Sequence, residues 1–154
     1  MKPLFLTPLA LALLMGSPAV QAAPSFESAP VEAAAPADAE KVVYHVNDSE
    51  NAMVALRNVQ NHLNASKDAR IVVVTHGKGI DFLLNGAQDK NGNPYEPVVQ
   101  TLKGKGVDFR VCNNTLTSRK LDASAVIPEA TVVPSGVAEI GRLQAKEGFV
   151  YLKP

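Results

Sequence analysis

The sequence is poor in several residue types that specialised sites require. It has one cysteine, no tryptophan and 5% aromatic residues, and its 15 basic residues are balanced by 15 acidic ones. A single cysteine excludes a disulfide within the chain. A nucleic-acid groove needs a basic stripe and, in most cases, stacking rings, so we expect no nucleic-acid partner. The 154 residues suffice for one domain with one core.

The sequence also lacks the glycine motifs that bind nucleotide phosphates. Gly77 and Gly79 begin a G-x-G-x-x-G pattern, but Phe82 occupies the place of the third glycine, and no P-loop motif occurs. The polar loop at 89–93 has the composition of a calcium loop, but its glycine comes too early for that motif. We therefore expect no bound cofactor.

The first 22 residues have the pattern of a secretory signal peptide. Lys2 precedes an apolar run at 4–15, which is too short to span a bilayer, and Val20 and Ala22 occupy the −3 and −1 positions of a cleavage site. Residues 23–40 are rich in proline, alanine and acidic residues, which predicts a flexible leader. We expect a periplasmic protein, not inserted in the membrane after signal removal, with a folded domain at 41–154.

Short apolar runs alternate with amphipathic segments along this domain. Strands are predicted at 41–46, 71–74, 107–111, 130–133 and 149–152, and helices near 49–63, 80–84, 97–102, 113–121 and 135–145. The run at 71–74 is apolar without alternation, which is typical of a central parallel strand. The alternation of strands and helices predicts an α/β fold, a three-layer sandwich with a mainly parallel sheet of about five strands.

Three residues able to carry chemistry lie at the ends of successive predicted strands: His45, His76 and Cys112. In open α/β sheets ligands bind beyond the carboxyl ends of the strands, so we expect these residues along one edge. Cys112 also precedes a predicted helix, whose N–H groups and dipole favour a thiolate. It shares the polar face of its strand with Asp108 and Arg110. These features favour a reactive thiol, with His76 raising its thiolate fraction.

Simpler interpretations of the same residues stay open. A free cysteine is commonly a small buried apolar residue, and a histidine at a strand end is commonly a hydrogen-bonded structural group. A zinc site of the two histidines and the cysteine has suitable ligand types but no spacing signature, and we expect no metal. His62 lies beside the apolar ridge of the first helix and is interpreted as structural. Ser135 fits a helix N-cap, although the turn before that helix can also bind an anion.

Several segments of the chain, in the same order, resemble one known family. They are ALRNVQNHL at 55–63, VTHGKGI at 74–80, FRVCNNTL at 109–116, VPSGVAEI at 133–140 and EGFVY at 147–151. Together they resemble the DsrE/DsrF-like family over about residues 41–154. The resemblance implies a small α/β protein that assembles into trimers or hexamers. It also implies a sulfur relay in which Cys112 carries sulfur as a persulfide and exchanges it with a donor or acceptor protein.

The strand-end pattern and the resemblance together define the expected site. Cys112 and His76 are the expected catalytic residues, and the expected binding residues are His45, Gly77, Asn113, Asn114 and Ser135. Together with the signal-peptide pattern, the resemblance implies an exported sulfur-handling homo-oligomer, and the single cysteine excludes a dithiol cycle within one chain. An uncovered polar face on the third strand would favour the same self-association. The alternative is a non-catalytic oligomeric module that binds a small molecule or a protein, with Cys112 structural.

Overall fold

A computed structural model describes residues 39–154. The predicted signal peptide at 1–22 and nearly all of the predicted leader at 23–40 lie outside the described residues. Five strands are present, β1 (Lys41–Val46), β2 (Arg70–Thr75), β3 (Asp108–Cys112), β4 (Ala130–Val133) and β5 (Val150–Leu152). The α-helices are α1 (Ala52–Ala65), α2 (Glu96–Gly104), α3 (Asn113–Ser118) and α4 (Gly136–Glu147), and short 3₁₀ helices lie at Ser49–Asn51, Gly77–Leu83 and Ala123–Ala125.

The five strands form one parallel sheet in the order β4-β3-β2-β1-β5. The predicted α/β class is confirmed, and β2 is the central strand, as its uninterrupted apolar run indicates. The chain adds strands in one direction from β1 to β4 and then returns, so that β5 pairs with the other side of β1. This reversal places the carboxyl ends of the first, second and last strands side by side.

Hydrophobic side chains fill the space on both faces of the sheet. Alternate residues of the central strands point to opposite faces, because side chains alternate along a strand. Val42, Ile71 and Val73 belong to the larger core, with α1 and α2. The smaller core lies against α4 and consists of Val43, Val72, Val74, Ile140, Leu143 and Phe149. The fold is therefore a three-layer sandwich, with α4 on the opposite face from α1 and α2.

Two features of the local structure differ from the sequence-based expectation. The helix predicted near 80–84 is the 3₁₀ helix Gly77–Leu83. It passes so close to β1 that a Cβ at Gly79 would lie 2.1 Å from the carbonyl oxygen of Val46. The helix predicted to reach residue 121 ends at Ser118, and Lys120 follows with a left-handed φ of 55°.

The expectation of an uncovered polar face on β3 is wrong. This strand lies inside the sheet, between β4 and β2, and α4 covers its polar face. Arg110 binds Asp108 on the same strand through Nε and Nη2, at 3.0 and 2.6 Å, and also binds Glu139 of α4. The charges on this face are thus paired within the domain. Between residues 39 and 154 the structure contains no helix with the length and apolar character needed to cross a membrane.

Candidate functional site

The structure brings the three strand-end residues together at the carboxyl edge of the sheet. Val46 is in register with Thr75, and Thr75 with Val111, so that the ends of β1, β2 and β3 are level. His45 lies near the end of β1, His76 directly follows β2, and Cys112 ends β3. This placement agrees with the expectation from the strand pattern.

Two helix N-termini converge on the side chain of Cys112. The residue is the N-cap of α3, and Gly136, the first residue of the 12-residue helix α4, packs against its Cβ. Both helix ends present unsatisfied N–H groups and a partial positive charge. Cys112 is 4% exposed, so solvent screens these interactions little.

Burial and hydrogen bonding act on the Cys112 thiol in opposite directions. Burial, the largest single influence, raises the pKa of the thiol. The backbone N–H of Gly136, the hydroxyl and N–H of Thr115 and the N–H of Asn114 act as donor groups near the sulfur and lower the pKa, although the sulfur accepts no capping hydrogen bond in the described conformation. Together these donors outweigh burial, and the pKa of Cys112 lies below its ordinary value. The pocket therefore favours a thiolate, the form of cysteine that acts as a nucleophile.

Gly136 allows this close approach because it has no side chain. A Cβ at this position would lie 3.0 Å from the carbonyl oxygen of Thr75 and 3.1 Å from the Cβ of Cys112. The preceding Ser135, predicted as a binding residue or an N-cap, caps α4 by accepting a hydrogen bond from Ala138 N–H at 3.3 Å. The anion-binding role of Ser135 stays a prediction.

Thr115 was not assigned to the site in the sequence analysis, and neither was Gly136. The Oγ1 of Thr115 accepts a hydrogen bond from the backbone N–H of Gly77 at 3.0 Å, which leaves the hydroxyl proton for the sulfur of Cys112. Gly77 has φ of +58°, a left-handed conformation that glycine adopts readily. The signal in the sequence is the spacing of Cys112 and Thr115, because the N-cap and third helical positions of a helix lie close together.

His45 and His76 form a hydrogen-bonded pair beside the cysteine. Their Nε2 atoms are 2.6 Å apart, and Nδ1 of His45 is 2.6 Å from the hydroxyl of Tyr151 on β5. Burial, the neighbouring His76 and Lys153 lower the pKa of His45 to about 4. Burial and Lys153 also lower the pKa of His76. Both rings are therefore neutral near neutral pH, and the donors described above, rather than an imidazolium, lower the pKa of Cys112.

The remaining predicted residues contribute in different ways. Asn114 offers its backbone N–H to the cysteine, whereas the side chains of Asn113 and Asn114 are exposed. Their predicted roles in binding stay predictions. His62 lies apart from the histidine pair, where it joins the hydroxyl of Tyr44 at 2.9 Å to the carboxylate of Glu40 at 3.1 Å.

The described residues contain no group of three histidine, cysteine or acidic side chains that could hold a metal ion. His45 and His76 each use Nε2 in bonding to the other, and His45 uses Nδ1 in bonding to Tyr151. The donor atoms of the pair are thus largely engaged within the protein.

Comparison with known proteins identifies one family and several solved structures with a similar fold. A model of the DsrE/DsrF-like family matches residues 40–154. A protein of unknown function from Methanobacterium thermoautotrophicum, MTH1491, is 31% identical, and the match covers 75% of this chain and 99% of that one, with a TM-score of 0.67. The ychN protein from E. coli shares the fold at 14% identity and a TM-score of 0.63, with the same coverage. No curated protein matches the chain significantly.

Proposed function

Because the chain belongs to the DsrE/DsrF-like family, whose members are generally related to sulfur relays, we propose that it carries sulfane sulfur as a persulfide on Cys112. The observation that carries this proposal is the set of hydrogen-bond donors around the thiol. Four donors from Asn114, Thr115 and Gly136 stabilise a negative charge on a sulfur atom that is otherwise buried. A structural cysteine packed among apolar groups needs no such donors.

Loading of Cys112 proceeds by nucleophilic attack. The thiolate attacks the terminal sulfur of a donor persulfide, R–S–SH, and forms a new S–S bond while the S–S bond of the donor breaks. The electron pair of the broken bond leaves with the donor as the thiolate R–S⁻, and the transferred sulfur retains its proton or loses it to solvent. One S–S bond replaces another, so the step needs no oxidant and no second cysteine.

One observation favours a second candidate, a non-catalytic module in which Cys112 packs structurally. The side chain of Cys112 is 4% exposed, so a donor has little direct access to the sulfur in the described conformation. In this alternative the strand-end crevice binds a small molecule or a protein without a covalent step.

Self-association into a trimer or hexamer is part of the proposal. Its support is the edge strand β5, where the apolar residues Val150, Tyr151 and Leu152 are 59%, 37% and 39% exposed. Sheet edges with exposed apolar side chains are suitable for pairing with another chain. A sulfur donor or acceptor protein would act at the carboxyl edge of the sheet, where Cys112 lies.

Export to the periplasm is likewise proposed, on the signal-peptide pattern of residues 1–22. The exported form is then expected to begin at Ala23. Intact mass measurement of the protein from a periplasmic fraction tests this start, and exported protein that retains Met1 would contradict it.

The persulfide is tested by intact mass spectrometry after incubation with a sulfane-sulfur donor. Wild-type protein is expected to gain the mass of one sulfur atom, which a reductant removes, and Cys112→Ser is expected to gain none. Alkylation of the denatured protein confirms that the thiol was free before the reaction. If the wild type gains no sulfur although its thiol is free, the binding module is the better explanation.

A further inference from the structure

We infer that Tyr151 and His45 are positioning residues, which hold His76 in the tautomer that presents an Nδ1–H donor to the outer, anionic sulfur of a persulfide on Cys112. This inference deepens the proposed function and rests on it. The order of the hydrogen bonds between Tyr151, His45 and His76 determines which nitrogen of His76 carries the proton.

The three side chains form one row along the edge of the sheet. The row runs from Tyr151 on β5 to His45 on β1 and then to His76 at the end of β2, with 2.6 Å between the bonded atoms of each pair. A hydrogen bond between two Nε2 atoms requires that one ring donates and the other accepts. Because each neutral imidazole carries one proton, the choice at one ring determines the tautomer of the next.

The phenol of Tyr151 determines the direction of the row. A phenol, with an ordinary pKa of about 10, is a stronger donor than a neutral imidazole N–H, and an imidazole nitrogen is a good acceptor. Tyr151 therefore donates to Nδ1 of His45, which places the proton of His45 on Nε2. His45 then donates to Nε2 of His76, and the proton of neutral His76 lies on Nδ1.

The Nδ1 of His76 is the ring atom that remains for a substrate. Among residues 39–154 it makes no hydrogen bond, and the side chain is partly exposed. His76 and Cys112 flank Gly136, where a Cβ would lie 3.3 Å and 3.1 Å from their respective Cβ atoms. A neutral N–H at Nδ1 can stabilise the charge of an anionic sulfur that extends from Cys112, without giving up its proton. Lys153, whose positive charge acts on both histidines, favours the same anion.

Nitrogen-15 NMR of histidine-labelled protein tests the assignment directly, because the two ring nitrogens of each tautomer have different shifts. In the wild type we expect the proton on Nε2 of His45 and on Nδ1 of His76. Tyr151→Phe removes the donor, so the His45 and His76 signals should move towards a mixture of tautomers. The matched control is Tyr44→Phe, which removes the other tyrosine–histidine hydrogen bond, at His62, and should leave both tautomers unchanged.

A kinetic readout distinguishes positioning from a general structural effect. In Tyr151→Phe the KM for an anionic sulfane-sulfur donor should rise about tenfold, the range expected when a hydrogen bond to a charged group is weakened. Alkylation of Cys112 by neutral iodoacetamide should keep its wild-type rate, since the donors to the thiolate lie on α3 and α4. An unchanged KM would overturn the inference.

The tautomer experiment needs no sulfur and is independent of the proposed function. If the proton of His76 lies on Nε2 in the wild type, or if Tyr151→Phe leaves the tautomers unchanged, the inference is wrong even where Cys112 is loaded with sulfur. If the tautomers are as expected but Cys112 accepts no sulfur, the proposed function fails and with it the anionic sulfur assigned to His76.

Discussion

At the scale of single residues, Cys112 combines deep burial with a lowered pKa, two properties that usually oppose each other. Burial alone favours the neutral thiol, as the direction of its influence on the pKa shows. The opposing donors are a hydroxyl and backbone N–H groups, which keep their orientation and do not themselves titrate near neutral pH. The lowering of the thiol pKa therefore does not depend on the charge of a histidine helper.

The pH dependence of alkylation measures this stabilisation. The midpoint for Cys112 should lie below that of a model thiol, about 8.5, and comparison of midpoints removes the effect of limited access. Thr115→Ala deletes one donor to the sulfur and should raise the midpoint. Thr117→Ala, at an exposed position of the same helix, is the control and should leave it unchanged. A wild-type midpoint at or above that of the model thiol would contradict the assignment.

The histidine pair makes stability depend on pH. The pKa of His45 falls from its ordinary 6.5 to about 4 on folding, so between these values the unfolded chain binds more protons than the folded one. The free energy of unfolding should therefore decrease as pH falls from 7 to 5. Urea denaturation across this range should show a shallower decrease for His45→Gln than for the wild type. Equal slopes in the two proteins would argue against a partly buried neutral pair.

At the scale of elements, the chain shows why some parts of the fold are predictable from sequence and others are not. The strands follow from runs such as 71–74, whose burial on both faces leaves an uninterrupted apolar pattern. The alternation along β3 likewise places Cys112 on the polar face. The 3₁₀ helix Gly77–Leu83 is not predictable in this way, because it results from the close contact of Gly79 with Val46, which the periodicity of either segment does not contain.

The candidate site likewise has one part that is predictable from sequence and one part that is not. The strand-end positions of His45, His76 and Cys112 follow from topology alone, and the structure brings them to one edge. Gly136 comes from a distant part of the chain and reaches Cys112 because α4 packs on the opposite face from α1. No local sequence pattern indicates the packing of α4 on this face of the sheet. The same packing also covers the polar face of β3.

The two glycines of α4 offer a matched test of this packing. Gly136→Ala would bring a methyl group within 3.1 Å of the Cβ of Cys112, and should lower the free energy of unfolding by about 1–3 kcal/mol, as for other overpacked sites. Gly141→Ala meets no atom within 4 Å and should raise it by up to about 1 kcal/mol, since alanine is the better helix former. Chemical denaturation measures both. A neutral Gly136→Ala would mean that α4 does not press on the cysteine.

At the scale of the whole molecule, the charges and the exposed apolar residues are distributed unevenly over the sheet. The charges of β3 and α4 are satisfied within the fold by Arg110, Glu139 and Arg142, so this face has little reason to pair with another chain. The edge strand β5 differs from this face, because all three of its residues are exposed and are apolar or aromatic. This contrast makes β5 the better candidate for contact between copies of the chain.

Light scattering with a charge placed on the edge strand tests that contact. Wild-type protein at micromolar concentration should have several times the mass of one chain, and Val150→Lys should reduce the mass towards that of a monomer, because a buried unpaired charge is costly. Val54→Lys, an exposed apolar position on α1, is the control and should leave the mass unchanged. A monomeric wild type would contradict the proposed assembly.

The bond between Tyr151 and His45 joins residues 106 positions apart and depends on a strand of only three exposed residues. Such an edge opens locally at low free energy, while the core strands open only when the domain unfolds. In the Val150→Lys variant, in which β5 is not covered by another copy of the chain, hydrogen exchange should therefore be fast at β5 and slow at β2 and β3. Fraying of one short strand then releases the histidines from their fixed arrangement without disturbing the donors around Cys112, so the two halves of the site lie in regions of different cooperativity.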